Sequence, residues 1–273
     1  MKAAPFEYVR ARSVDEAVTT LRRADGDGKI LAGGQSLVPV LALRMARPSV
    51  LVDVNRLPGM VAVEPSGADV QVGALVRHAH LAVQDEHPLL AEAASWIGHT
   101  AIRTRGTLGG SLAHADPSAE LPAVALAVGA TVTVAGADGV RTVHAADLFV
   151  GPLMTSLSED EMITSVRFPR PRRWGFAELA RRHGDFALVT AVVAETATGT
   201  RVVLGGVSGV PQRLADAERV LDGGGSVDEA AEAVADEVAP TSDLHGSAEF
   251  RRAMAVEMVR RALHSAEGTG TAT

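Results

Sequence analysis

The sequence predicts an α+β fold with a boundary near residue 170. Three observations carry this. Apolar stretches of strand length alternate with amphipathic helices in mixed order. A strand–loop–helix–strand unit occupies roughly the first 55 residues. The Pro169-Arg-Pro171 punctuation then separates it and a longer mixed region from a run of strands and a helical remainder. The expected domains are 1–57, 58–170 and 171–273.

The elements follow in order. Ser13-Val-Asp-Glu16 has the spacing of a capping box, and Val14, Ala17, Val18 and Leu21 recur at helical intervals. The helix stops at Asp25-Gly-Asp-Gly28; a strand over Lys29–Ala32 then runs into Gly33-Gly34-Gln35-Ser36. Leu37–Met45 reads as a helix with Pro39 in its first turn, and Ser49–Val54 as a buried strand. Met60–Glu64 and Asp69–Gly73 form a hairpin around Pro65-Ser66-Gly67. Helices are expected at Arg77–Gln84, Pro88–Ile97 and Ala119–Val128. Arg103–Pro117 lies between them, glycine-rich and without periodicity. Strands are expected at Ala130–Ala135, Gly139–His144, Ile163–Phe168, Gly175–Ala180, Ala187–Ala194 and Thr200–Val207. Ser226-Val-Asp-Glu229 is a second capping box. Ser247–Ala266 carries Met254, Met258, Val259, Ala262 and Leu263 on one helical face, and the small, polar tail Gly268–Thr273 is expected to be disordered.

Composition excludes several functions. The chain of 273 residues has no cysteine, so it holds no disulfide, thiolate metal site or iron–sulfur cluster of its own. A net charge of −7 argues against a general nucleic-acid binder, and two Trp, one Tyr and six Phe are too few for a base-stacking platform. No apolar run reaches the ~18 residues of a membrane span, and the N-terminal residues lack a signal-peptide pattern, so a cytoplasmic protein is expected.

Two segments could carry chemistry. In Leu31-Ala-Gly33-Gly34-Gln35-Ser36-Leu37 a strand meets paired glycines and opens a helix. That arrangement suits a phosphate, because glycines admit close approach and amides at a helix start attract anions. A tight turn without ligand explains it equally. Neither G-x-G-x-x-G nor G-x-x-x-x-G-K-[ST] is present. The second segment, Ile102–Pro122, is long, glycine-dense and rich in small polar side chains, as binding loops often are. Two such loops about 70 residues apart suggest one elongated ligand with phosphates in its middle, such as FAD.

Here a resemblance becomes specific. Ala32-Gly-Gly-Gln-Ser36, Arg103-x-x-Gly106-Thr-x-Gly-Gly-Ser111-x-x-His114-Ala-Asp-Pro117, Arg181-Arg-x-Gly-Asp185-Phe186 and Asp243-Leu-His-Gly246-Ser-Ala-Glu-Phe-Arg251 occur in one order. Together they resemble the FAD-binding medium subunit of the molybdenum hydroxylases, carbon monoxide dehydrogenase type, from about Phe6 to His264. The resemblance implies two small α/β subdomains holding FAD in a vanillyl-alcohol-oxidase-like arrangement, with a third domain of antiparallel strands and helices behind, non-covalent FAD, and an electron-transfer role. Its implied partners are an iron–sulfur small subunit and a molybdopterin large subunit, assembled as a dimer of heterotrimers.

It also implies a contact set. Ala32, Gly33, Gly34, Gln35 and Ser36 would meet the FAD phosphates, with Leu37 beside them and Lys29 and Leu31 at the adenosine end. Thr107, Gly110, Ser111, Ala113 and Asp116 would line the flavin and pyrophosphate. Glu120 would bond the ribityl chain, Ile163 would touch a ring, and Phe186 would stack near the isoalloxazine. Ala177 departs from the pattern, since several relatives carry a lysine there. No catalytic side chain and no metal ligand is expected. The alternatives are a free-standing FAD oxidoreductase and a binding module without turnover. His78 and His80 read as surface histidines, and Arg103 and Arg105 as phosphate-neutralising, partner-facing or solvated.

Overall fold

In the computed structural model, residues 2–269 are described. The first unit comprises β1 (Glu7–Arg10), α1 (Val14–Arg23), β2 (Gly28–Leu31), α2 (Leu37–Ala42) and β3 (Val50–Asp53). Its sheet is parallel, in the order β1-β3-β2, and β3 is buried along its length. Strand β1 lacks the apolar alternation that betrays a strand, with three of its four residues exposed, and sequence reading misses it. The Ser13 hydroxyl caps α1 by accepting from the Glu16 amide. The Glu16 carboxylate reaches back one residue further than expected, to the Arg12 amide at 2.7 Å.

The second unit runs through β4 (Val63–Ser66), β5 (Asp69–Gly73), α3 (His78–Leu81), α4 (Pro88–Trp96), α5 (Thr100–Arg103), α6 (Leu108–His114) and α7 (Glu120–Val128). It continues with β6 (Thr131–Gly136), β7 (Gly139–His144), α8 (Ala145–Leu148), β8 (Phe149–Gly151), β9 (Met154–Thr155) and β10 (Met162–Pro169). Five of these strands form one antiparallel sheet, β4-β5-β10-β6-β7. The Arg103–Pro117 segment is not irregular throughout. Thr107 caps α6, whose glycines weaken the helical signal in sequence. Tertiary bonds supply what propensity lacks: the Leu108 and Gly109 amides donate to Val76 and Ala74 carbonyls at 3.0 and 2.8 Å. Buried His87 fixes α4 to the end of β10. Its Nδ1 accepts from the Leu90 amide at 3.2 Å, and its Nε2 lies 3.1 Å from the Pro169 carbonyl.

The third unit contains β11 (Trp174–Ala180), β12 (Ala187–Thr196), β13 (Gly199–Gly205), β14 (Gln212–Arg213), α9 (Ala215–Asp222), α10 (Val227–Glu237) and α11 (Ala248–Gly268). Its antiparallel sheet is covered on both faces. Val189, Ala191, Val193, Val202 and Leu204 pack with α9, α10 and α11. Phe176, Val192, Ala194 and Val203 face the other way, joining the core of the first two units. Helix α11 extends to Gly268, and Thr269 exchanges hydrogen bonds with the backbone of Trp174, so these two residues are ordered, contrary to expectation. Residues 270–273 lie outside the described residues.

Helix α11 approaches β11 so closely because Gly175 has no side chain: a Cβ there would overlap the Ala262 carbonyl. Gly175→Val should therefore lower stability by about 3 kcal/mol or more through overpacking. The urea midpoint measures this; an unchanged midpoint would contradict the packing described.

Candidate functional site

The first glycine loop leaves β2 at Leu31 and enters α2 at Leu37. Gly34 sits at φ +73°, a left-handed conformation that turns the chain sharply. Among the described residues, none of the five amides from Gly33 to Leu37 finds an acceptor. Buried amides are normally paired, so a row of free ones suits a ligand rich in acceptor oxygens. The charge agrees. Between Gly28 and Val52 the chain carries Lys29, Arg44 and Arg47 and no acidic residue.

Gly33 serves a different purpose. Its Cβ position overlaps the Arg105 carbonyl and lies 2.8 Å from the Gly106 Cα, so the two glycine loops touch backbone to backbone. A polar brace that sequence reading missed holds them together. Asn55 Nδ2 donates to the Leu31 and Ala32 carbonyls at 3.2 and 2.8 Å and to Asp53 Oδ1 at 2.7 Å. Arg77 donates to Asn55 Oδ1 at 2.7 Å and to the Arg105 carbonyl. Tyr8 donates to Asp53 Oδ2, and these donors hold the Asp53 carboxyl below its ordinary range despite the opposing effect of burial. Only an acidic-amide pair, Asp53 and Asn55, at the end of a buried strand hints at the brace in sequence.

Beyond that junction the second loop becomes α6. Its amides are spent internally: the Gly110 amide donates to Thr107 Oγ1 at 3.2 Å. Thr107 is buried and caps the helix, while Gly110 and Ser111 are half-buried and Ala113 is exposed. A Cβ on Gly110 would come within 4.0 Å of the Ala32 side chain, which sets α6 against the first loop. Arg103 donates through Nη1 to the Ile97 and Gly98 carbonyls at 3.0 and 2.7 Å. Arg105 is exposed. His78 is not a surface residue. It lies beneath Gly106, both ring nitrogens buried and unpaired among the described residues, and desolvation pushes its pKa down to about 4. His80 is exposed as expected.

Asp116 Oδ1 accepts from the Ser118 amide at 2.9 Å, forming a turn that delivers Glu120 to the start of α7. Pro117 bolts this turn to the third unit by accepting from the Gly206 amide at 2.8 Å. The Glu120 carboxyl is 6% exposed and has no donor from another described residue. Burial, with Asp116 nearby, raises its pKa to about 7. Such an acceptor suits a hydroxyl-bearing ligand. Ile163 lies buried in β10, whereas Phe186 is 72% exposed beyond the 181–186 turn. The structure thus brings Gly110 against Ala32, and Gly33 against Arg105 and Gly106. Lys29 and Phe186 project into solvent, and Ile163 belongs to the core.

Residues 4–171 match the family model "FAD binding domain in molybdopterin dehydrogenase". Residues 174–266 match "CO dehydrogenase flavoprotein C-terminal domain". Fold and loops are those of an FAD-binding oxidoreductase subunit. The chain belongs to the FAD-binding medium subunits of the molybdenum hydroxylases. It is 45% identical to the nicotine 6-hydroxylase medium subunit of Paenarthrobacter nicotinovorans, over 96% of this chain and 98% of that protein. It is 38% identical to the carbon monoxide dehydrogenase medium chain of Hydrogenophaga pseudoflava, over 96% of each. A solved carbon monoxide dehydrogenase from Hydrogenophaga pseudoflava, lacking the Mo-pyranopterin moiety, superposes with a TM-score of 0.93 at 37% identity, covering 98% of this chain and 99% of that one. No helix among the described residues is long and apolar enough to cross a membrane.

The site has a pH signature. Glu120 at about 7 and Glu178 at about 8 both hold their protons above the ordinary 4.5. The folded chain therefore binds more protons than the unfolded one between pH 4.5 and about 8, and stability falls as pH rises through that window. Buried His78 and His87, lowered from 6.5, act in the opposite sense below pH 6.5. The net loss should appear above it. Denaturation midpoints of the FAD-free chain should drop from about pH 6.5 to about pH 8.5; a rise over that interval would refute the assignment.

Proposed function

We propose that this chain is the flavin-bearing electron-transfer subunit of a molybdenum hydroxylase complex. The observation that carries the reading is the row of five unspent amides at residues 33–37, in a stretch free of acidic side chains. These amides, with the Ser36 hydroxyl and Gln35, hold the FAD pyrophosphate, and Leu31, Ala32 and Leu37 flank it. Lys29 adds positive charge toward the adenosine end. Gly110, Ser111 and Ala113 on α6 form the facing wall, positioned by the Thr107 cap and the Asp116 turn, and Glu120 accepts from the ribityl hydroxyls. Ile163 supports a ring from the core side. Phe186 supplies an exposed aromatic at the flavin's outer edge. The same reading divides the chain at 1–57, 58–170 and 171–273.

When bound, the flavin accepts electrons from [2Fe–2S] clusters of a partner subunit and passes them to an external acceptor. This chain contributes binding and orientation. It has no cysteine with which to hold the clusters, so they and the molybdopterin site belong to separate partner subunits, arranged as a dimer of heterotrimers. A cytoplasmic location is part of the same proposal.

The test separates binding from turnover. Expressed alone, the chain should purify with FAD that acid precipitation releases, and should not hydroxylate substrate until its partners are added. Full substrate turnover by the lone chain would favour a free-standing oxidoreductase. Ser36→Asp probes the loop itself. Aspartate is a favoured residue at the start of a helix, so the fold should hold, but its charge beside the phosphates should weaken FAD binding about tenfold or more, which is 1.4 kcal/mol. Unaltered affinity, read by flavin fluorescence, would remove residues 33–37 from the pyrophosphate site.

A further inference from the structure

The third unit places a second carboxyl beside Glu120. Phe176 and Glu178 project from β11 toward the first two units, while Ala177 and Leu179 face α11. Glu178 stands opposite Thr190 in β12, and the Thr190 hydroxyl donates to Glu178 Oε2 at 3.4 Å. Thr190 in turn stands opposite Gly205. The Cβ position of Gly205 lies 3.6 Å from both the Thr190 Cβ and the Pro117 carbonyl, and 3.8 Å from the carbonyl of Ala119, the residue before Glu120. Glu178, Thr190 and Glu120 therefore converge from β11, β12 and α7. Their neighbours on this sheet face are apolar. A carboxyl in such a place is costly unless something uses it, and Thr190 gives it one long hydrogen bond.

Other charges facing this spot are few. Glu92 on α4 is engaged by Trp96 Nε1 at 2.9 Å, and His183 in the turn after β11 packs on the Trp96 ring. Arg201 on β13 sits at the far end of α7, against Gly129. Asp116 adds negative field to Glu120. Among the described residues, no cation neutralises the pair.

We propose that Glu178 is a cofactor-positioning residue contributed by the C-terminal sheet: it keeps a proton for the Glu120–Glu178 pair, so that bound FAD meets one negative charge there instead of two. The proposal rests on the FAD reading above. Burial and the Glu120 charge both raise the Glu178 pKa, to about 8, which puts the proton in place at neutral pH. Above that, the proton passes to solvent and a second charge appears near an already anionic ligand.

The experiment strips FAD from the full chain and measures its dissociation constant by flavin fluorescence from about pH 6 to 9.5. The wild type should weaken most steeply above about pH 8, toward tenfold per pH unit, where the Glu178 proton is lost after that of Glu120. Glu178→Gln, neutral and of the same shape, should bind within about twofold of wild type at pH 6 and lose the added weakening above about pH 8. Thr190→Val removes only the hydroxyl that favours the charged carboxylate, so its midpoint should move to higher pH. This variant keeps the test open if Glu178→Gln folds poorly. A flat wild-type curve, a Glu178→Gln curve that repeats the wild type, or an unmoved Thr190→Val midpoint would overturn the proposal. Absence of FAD binding by the wild type at every pH would instead overturn the cofactor reading beneath it.

Discussion

The site depends on a missing side chain. At Gly33 the first glycine loop rests directly on the backbone of Arg105 and Gly106. Any Cβ would push the parallel three-stranded unit away from the antiparallel five-stranded one and open the surface the two loops share. The contact is then locked by charge-assisted hydrogen bonds through Arg77 and Asn55 rather than by apolar packing. That choice has a reason. A loop whose amides must stay free for a ligand cannot also bury a hydrophobic anchor, so its support comes from the carbonyl side of the same peptides. The two glycines of the pair therefore divide the work: Gly33 meets protein, and Gly34 makes the left-handed turn that exposes the following amides.

Much of the architecture was legible in the sequence because periodicity and punctuation agreed. Caps at Ser13 and Ser226, the strand runs of the third unit and the stripe along α11 all follow local rules. What was hidden lacks a local signal. Strand β1 is polar and exposed, and only its partner β3 makes it a strand. Helix α6 contains two glycines and forms because Thr107, Val76 and Ala74 supply its first-turn acceptors. His78 reads as a surface residue beside His80, yet Gly106 closes over it.

The site was legible to the same degree and for the same reason. Glycine loops announce themselves, and the family likeness of their motifs assigns them a dinucleotide. Their bracing does not announce itself, because Asp53, Asn55 and Arg77 are ordinary residues until the fold brings them together. The C-terminal motif Asp243–Arg251 shows the converse. One of its residues points inward: Arg251 is buried and donates to the Leu188 and Gly206 carbonyls, with Asp243 paired to it at 2.6 Å. Arg251 thereby fixes the strand end that receives Pro117.

The apolar front of the C-terminal sheet has a kinetic consequence. Phe176, Val192, Ala194 and Val203 share one core with the first two units, so separating the sheet from them would expose that core to water. Hinged parting of the halves is therefore not a route by which a dinucleotide enters or leaves. Helix α2 beside the glycine loop, six residues long with several solvent-facing side chains, contributes nothing to that core. Exchange of the cofactor should then be governed by the opening of a few turns rather than by unfolding of the whole chain.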